Sequence, residues 1–546
     1  MPSLSFYATF VKKFFVLPSS YLPYRSTLSF SSLVNDYISG SEKLKPFYLF
    51  EPNLSGIEKA IHERTNFPVD RKLLVSVLRH QYSSTPLNPC VERNLLLLEN
   101  ENTFTICTAH QPNLMTGYLY FIYKIIHAIR LAEELANRYP EKKFVPVYYM
   151  GSEDNDLQEL GNFRYNQRKF VWDAANQTGA FGRMSPKSLE TLFTELFKEL
   201  GPPGKHSEEL KNILIQAYLH QPTIAAATRF LVNELFGRFG LIVLDADEPH
   251  FKQRFLNVMR DDLLEHHAHF FVQQTILSLE KNYTGQAFPR AINLFYLKDN
   301  LRARIEQKNQ HWQVVHTNIK WNQDQLIDEL TKHPERFSPN VILRGLYQET
   351  LLPNVVFIGG GAEVAYWMQL KQVFEYYSVF FPVIMLRQSV LWIDKKAGAL
   401  KTKLGLTNEE LFLEEETLIK KYVRERSTGW EIQDALSHIT AGIEMLREQA
   451  ISVDVTLNRS VDATIQKTRN ILSALELKML RARKRQMSDA VRQIQLIKQM
   501  LFPTGHLQER VENFISWYPL YGSRYFDLLK DSFNPLQTQF SIIEVD

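Results

Sequence analysis

Two short loops concentrate the side chains able to do chemistry in this chain. The first, Thr108-Ala-His-Gln-Pro-Asn-Leu-Met-Thr-Gly117, follows the apolar run Phe104-Thr-Ile-Cys107. The second, Gly151-Ser-Glu-Asp-Asn-Asp156, follows Phe144-Val-Pro-Val-Tyr-Tyr-Met150. In the first loop His110 offers proton transfer or an anion contact, and Gln111 and Asn113 can donate and accept hydrogen bonds. Thr116 and Gly117 stand just before a helical stretch, whose free N–H groups and positive dipole end attract anions. Gly117 would let a ligand come close to the backbone, and Lys124 would point to the same mouth. In the second loop Glu153, Asp154 and Asp156, with Glu159 beyond, can hold an ammonium group, sugar hydroxyls or Mg²⁺. Their mutual repulsion would raise one carboxyl toward the range of a general base. A third turn, Gly359-Gly-Gly361 with Glu363, lacks the dinucleotide spacing and the Walker lysine, yet it is placed to cradle a phosphate or carboxylate. Arg387 follows the last core strand and suits bidentate carboxylate or phosphate contact. Asp245 and Asp247 also end a strand and face the same side, whereas Arg290, Asn293 and Arg344 read as surface or structural positions.

These loops need strands and a helix to hold them. Tyr118 to Asn137 reads as that helix, so the two loops sit at the strand ends of a β-α-β unit, where open α/β sheets bind ligands. One loop is neutral and polar and the other acidic, which points to a small polar substrate. Further buried strands are predicted at 240–247, 354–358 and 381–385, with helices over 207–239, 248–282, 341–351 and from Gly359 to Tyr377. Residues 1–103 are expected to be mainly helical and to pack on the core, which takes in 104–160, 206–282 and 341–395. The stretches 161–205 and 283–340 are expected as connecting inserts, the first ending in the turn Gly201-Pro-Pro-Gly204 and the second a small antiparallel sheet. From Trp430 apolar residues take heptad spacing: Ile432, Leu436, Ile439, Ile443, Leu446 and Ala450, then Ile465 to Ala482 after a tip at Ser452–Thr456, then a one-residue slip before Met487. Two long helices joined at a tip make an antiparallel coiled-coil arm, 396–502. The tail, 503–546, is expected to dock back on the core.

Composition narrows the classes. The chain has 546 residues, 45% of them hydrophobic, which calls for more than one domain. With 63 basic and 60 acidic residues the net charge is +3, no mark of a nucleic-acid binder. The two cysteines, Cys90 and Cys107, exclude a disulfide framework and a thiolate metal site, and Cys107 reads as a small buried hydrophobe. No permanently bound cofactor or resident metal is expected. Lys12-Lys13 is not followed by a signal-peptide pattern, and no run approaches the ~20 apolar residues of a membrane span, so a soluble cytoplasmic protein is expected.

Five segments in this order resemble the cysteine-adding enzymes of bacillithiol biosynthesis, the BshC family. They are Thr108 to Tyr120, Gly151 to Asp156, Gly361-Ala-Glu-Val-Ala-Tyr-Trp-Met-Gln-Leu-Lys371, Leu386-Arg-Gln-Ser-Val-Leu-Trp-Ile-Asp394 and Leu501-Phe-Pro-Thr-Gly-His-Leu-Gln-Glu-Arg510. The chain departs from the family where Ala109-His110 replaces the common Gly-Gln and Asn155 replaces a histidine, which weakens a proton-transfer role for any single histidine. The resemblance implies an α/β fold: a Rossmann-like parallel-sheet core similar to class I nucleotidyltransferases, with inserts and a coiled-coil arm used in homodimerisation. It also implies joining L-cysteine to the amine of glucosaminyl-malate. Amide formation needs an activated carboxylate, so ATP with Mg²⁺ is the expected activator, through an acyl-adenylate or an acyl-phosphate. On this reading the first loop and Gly359, Gly360 and Gly361 meet the phosphates or the activated carboxylate. Glu153, Asp154 and Asp156 bind an ammonium group, one of them as base; Arg387 takes the malate carboxylates. A metabolite-binding coiled-coil scaffold, or a nucleotidyltransferase acting on another amino acid or sugar, remains open on the residues alone.

Overall fold

The structure is a computed structural model that describes residues 20–201, 204–426 and 432–545. Lys12-Lys13, the prolines of the expected 201–204 turn and Trp430 lie outside the described residues. Two compact units divide the chain. One runs up to Trp392 and returns for Leu507–Ile543; the other holds Ile393–His506 and the last residues.

The first unit is built on a five-stranded parallel sheet. Its strands are β1 (Thr103–His110), β2 (Lys143–Met150), β3 (Ile242–Asp245), β4 (Asn354–Gly359) and β5 (Val383–Leu386), in spatial order β5-β4-β1-β2-β3. All four pairings are parallel, and β1 pairs with β2 from Thr103↔Lys143 to His110↔Met150. The strands are apolar throughout because both faces are covered. Cys107, Val145, Val147 and Tyr149 enter one core and Phe104, Ile106 and Phe144 the other, the period-two alternation of a strand. Burial pushes the Cys107 thiol up, as suits a small core hydrophobe. Strand order reverses between β1 and β4, so the crevice at their carboxyl ends is a topological switch point.

Helix α1 (Leu119–Arg138) crosses from β1 to β2 and α2 (Gly361–Trp367) follows β4. Helix α1 is apolar nearly all round, since the sheet covers one side and the tail helix Arg524–Ser532 another. The tail is tied to it by the Lys530–Glu133 ion pair at 3.1 Å and by Pro535, whose carbonyl meets His127 Nε2 at 2.8 Å. The tail also supplies a strand, Phe540–Glu544, antiparallel to Ser20–Leu22, so the N-terminal part is not purely helical. Between β3 and β4 a second five-stranded sheet, antiparallel, spans Leu294 to Pro339. Between β2 and β3 lie the hairpin of Asn162–Tyr165 with Arg168–Val171 and a helix, Leu189–Glu199.

Several predicted helices are divided. The stretch 207–239 breaks before Thr223, which caps the next helix, just after Pro222. The stretch 248–282 is three helices, with His266 in the left-handed region. Helix α2 stops at Trp367, and after it Gln369 gives its side chain to the backbone of Gln286 and Ala287, so Lys371–Tyr376 is a separate helix.

In the second unit Ile432–Met445 and Arg447–Val453 fold back along Leu457–Gln486 as an antiparallel pair. The heptad slip coincides with a helix break at Met487, and Pro503–Gly505 ends the last helix.

Candidate active site

The carboxyl ends of β1 and β4 open into a cleft of about 800 Å³. Among its walls are His110 at the end of β1 and Gln111 after it, Lys124 on α1, Asp154 and Glu159 after β2, Gly360, Gly361 and Glu363 after β4, and Arg387 after β5. The antiparallel insert adds Arg302 and Phe295, the helix Val341–Leu351 adds Arg344, and the tail adds Arg510.

Asp154 is held from several sides in the cleft. Arg344 grips it with both guanidinium arms, at 2.8 Å and 2.5 Å, Gln111 donates at 2.9 Å, and Arg302 stands 3.1 Å away. Burial by itself would raise this carboxyl, but the two arginines win and hold it well below the usual carboxylate range. Asp154 is therefore charged and spoken for at neutral pH, which makes it an organiser of arginines, not a base. Arg302 is fixed on its other sides by Asn155 Oδ1 at 3.1 Å and by the Phe295 ring, 3.9 Å from its guanidinium carbon.

Lys124 and Glu363 form an ion pair across the switch point, joining α1 to α2. Lys124 also donates to the Ala109 carbonyl at 3.0 Å, and Glu363 accepts the Gly360 amide at 2.7 Å. That amide is thus used inside the turn. Burial lowers the Lys124 ammonium even against the pull of Glu363. His110 packs edge-on to Tyr120, with ring centroids 5.4 Å apart, and its Nε2 has no hydrogen-bond partner among the described residues. Burial, then the positive charges of Lys124 and Arg387, hold its imidazole well below the ordinary value, so it is neutral at pH 7.

Arg387 faces the cleft but is committed to the tail. Its arms bind Glu509 at 2.8 Å and 2.6 Å and Ser389 Oγ at 2.9 Å, all buried. The cleft cations without a carboxylate partner among the described residues are Arg290 and Arg510, both exposed. Counting charges around the cleft, Asp154 offsets only one of Arg302 and Arg344, the Lys124–Glu363 and Arg387–Glu509 pairs cancel, and Arg290 and Arg510 add to the excess. Glu159 is the opposing charge. The cleft is cationic, although the loop that builds it is acidic.

The remaining sequence candidates stand outside its walls. Asn113, Thr116 and Gly117 are buried against the tail, where Asn513 donates to the carbonyls of Met115 (2.8 Å) and Gly117 (2.5 Å). The first amide of α1, on Leu119, goes to the Glu512 carbonyl at 2.9 Å, so the expected anion site at this helix start is met by the protein's own tail. Glu153 is buried in an ion pair with Lys252, which also donates to the Phe337 carbonyl at 2.8 Å. Asp156 caps a helical turn, accepting the Glu159 amide at 3.0 Å. Gly359 is buried in β4, and its carbonyl accepts the Arg387 amide at 2.7 Å. Asp245 bonds Ser152 Oγ under the acidic loop, and burial raises it to about 6; Asp247 is gripped by Arg183 at 2.6 Å and 2.7 Å. Sequence reasoning missed the roles of Arg302, Arg344, Lys252, Glu509, Asn513 and Arg510. Only Glu509 and Arg510 carried a signal, as part of the Leu501–Arg510 segment.

Comparison with known proteins covers both units. Residues 17–388 match the family model "Bacillithiol biosynthesis BshC, N-terminal Rossmann-like domain", and residues 390–545 match "Bacillithiol biosynthesis BshC, C-terminal coiled-coil domain". A relative named "Putative cysteine ligase BshC" from Flavobacterium psychrophilum is 38% identical over 532 residues, covering 97% of this chain and 100% of its own length. One of the same name from Christiangramia forsetii is 37% identical, covering 96% of this chain and 99% of its own. A more distant one from Chlorobaculum tepidum is 28% identical over 83% of this chain and 84% of its own.

Proposed function

Since the chain belongs to the BshC family of bacillithiol biosynthesis, we propose that it is a ligase joining the carboxyl group of L-cysteine to the amine of glucosaminyl-malate, giving bacillithiol. The observation that carries this reading is the cationic cleft at the switch point. Glucosaminyl-malate brings two carboxylates, and Arg290 and Arg510 are the cleft cations free to meet them. This moves the malate site from Arg387, which Glu509 occupies, to two arginines with no such partner. Neutral His110 lines the cleft and in this reading contacts the carboxylate of cysteine or its activated form.

The activator in this reading is a nucleoside triphosphate, a second substrate, whose phosphates suit the same arginine-rich wall. The residues fit Mg²⁺ poorly. Asp154 is held by arginines and Glu363 by Lys124, leaving Glu159 as the cleft carboxylate without a cation partner among the described residues. One carboxylate makes no Mg²⁺ cage, and no step here runs through a protein-held metal.

The protein in this reading is a soluble cytoplasmic homodimer joined through the arm. Heptad residues Ile439, Leu446 and Leu475 remain 42%, 56% and 48% exposed although the hairpin has closed, which leaves apolar surface for a second copy. No helix among the described residues is long and apolar enough to cross a membrane.

The test is direct. Purified protein, L-cysteine, glucosaminyl-malate, ATP and Mg²⁺ are expected to give bacillithiol, read by mass spectrometry after thiol labelling. Production of AMP or ADP then distinguishes adenylate from phosphate activation. Binding of both substrates with no ATP-dependent product would refute a self-sufficient ligase.

A further inference from the structure

Amide formation needs the attacking nitrogen unprotonated. His110 is a poor proton acceptor, because burial and the charges of Lys124 and Arg387 hold its imidazole well below the ordinary value, and four carboxylates at or beside the cleft are already committed. Asp154 is locked between Arg344 and Arg302, Glu363 is paired with Lys124, Asp156 is a helix cap outside the cleft walls, and Glu153 is buried against Lys252. Glu159 differs from all four. It lines the cleft, is exposed, and has no cation partner among the described residues. It sits on the short helical turn Leu157–Leu160, whose start Asp156 caps, so the backbone that carries it is anchored.

Resting on the ligase reading above, we propose that Glu159 receives the sugar ammonium of glucosaminyl-malate and takes its proton. The charged and titratable groups around Glu159 are Asp156 on its own turn, Asp154 on the preceding loop and Tyr120 at the start of α1. Partial burial, then the negative charges of Asp156 and Asp154, raise its carboxyl from its ordinary value. The site is thereby divided by charge. The arginines face carboxylates and phosphates, and the cleft carboxylate left unneutralised among the described residues faces the one cationic group the sugar brings.

The step balances. The Glu159 carboxylate takes one proton from R–NH₃⁺, leaving R–NH₂ and a neutral carboxylic acid. The nitrogen lone pair then forms a bond to the carbonyl carbon of cysteine activated by the nucleoside triphosphate. The carbon–oxygen bond to the phosphoryl group breaks with its electrons on that oxygen, which takes the second nitrogen proton as it departs. Glu159 returns its proton to water.

The experiment compares the full-length wild type with E159Q and E159D across about pH 6.5 to about 9, measuring kcat and KM for glucosaminyl-malate. E159Q is expected to lower kcat near pH 7 by about a hundredfold or more, as loss of a general base does. The deficit should shrink as pH rises, because the amine then arrives unprotonated, and E159D should keep the wild-type profile with a smaller loss. Wild-type kcat in E159Q at pH 7, or a deficit constant across the range, overturns the proposal. Calorimetry separates the two levels of inference. Wild type that neither binds nor turns over glucosaminyl-malate removes the ligase reading and this step with it. Wild type that turns it over, beside an E159Q variant that does so equally well, removes only the role of Glu159.

Discussion

Asp154→Asn decides whether the acidic loop is catalytic or architectural. The carboxylate accepts three hydrogen bonds, two from Arg344 and one from Gln111, and a second arginine, Arg302, lies 3.1 Å away. An amide of the same shape removes the charge and turns one acceptor into a donor facing guanidinium groups. Breaking a buried pair by removing one partner costs about 3–5 kcal/mol. The side chain is 15% exposed, so the lower end applies, about 3 kcal/mol, or roughly a hundredfold in the folding equilibrium. The sign with pH follows from the depressed carboxyl. Its stabilisation is complete above the unfolded value of about 3.9 and is lost only as pH falls through the lower folded value. The gap between wild type and D154N in urea denaturation should therefore be flat from about pH 5 to about pH 8 and begin to narrow below about 4. Activity should fall through misplaced arginines, raising KM for the anionic substrate with no displaced limb in the pH profile. An Asn variant as stable as wild type that loses kcat alone, with a shifted pH profile, would refute the architectural account.

Three further outcomes follow from the same geometry. Arg290→Ala and Arg510→Ala should each raise KM for glucosaminyl-malate by about tenfold to a hundredfold, the worth of a charge-assisted hydrogen bond, with melting unchanged; an unchanged KM in both places the dicarboxylate elsewhere. Glu509→Ala should cost about 3–5 kcal/mol by leaving Arg387 buried and unpaired, while the double change R387M/E509L, which removes both charges, should be markedly less damaging in the same denaturation assay. Sedimentation equilibrium should find a dimer that Leu446→Lys and Leu475→Lys convert to monomer, since each puts a charge on the exposed heptad seam.

The β-α-β unit was legible because its signals are local. Near-continuous apolar runs ending in polar loops mark buried parallel strands, and ligand groups in such sheets lie just past the strand ends. His110, Gln111, Lys124, Asp154, Gly360, Gly361, Glu363 and Arg387 share the cleft for that reason. Strand order was not legible, because the pairing of β1 with β4 joins residues about 250 apart in sequence and depends on crossover paths that leave no periodicity. The first loop misled at its far end. Met115 and Thr116 take positive φ and carry the chain away from the cleft into the tail, and neither residue type announces such a turn.

Charge was the property least visible along the chain. Glu153-Asp-Asn-Asp156 reads as a negative site because its neighbours in sequence are negative or neutral. Its neighbours in space are Lys252, Arg302 and Arg344, delivered by three segments roughly 100 to 190 residues downstream. In a partly dry cleft a carboxylate that does not meet a cation is costly, and the fold brings Lys252 to Glu153 and two arginines to Asp154. What remains unmatched then carries information. Among the described residues, two arginines and one glutamate are left facing the cleft, and they are the groups a substrate with two carboxylates and one ammonium would complete.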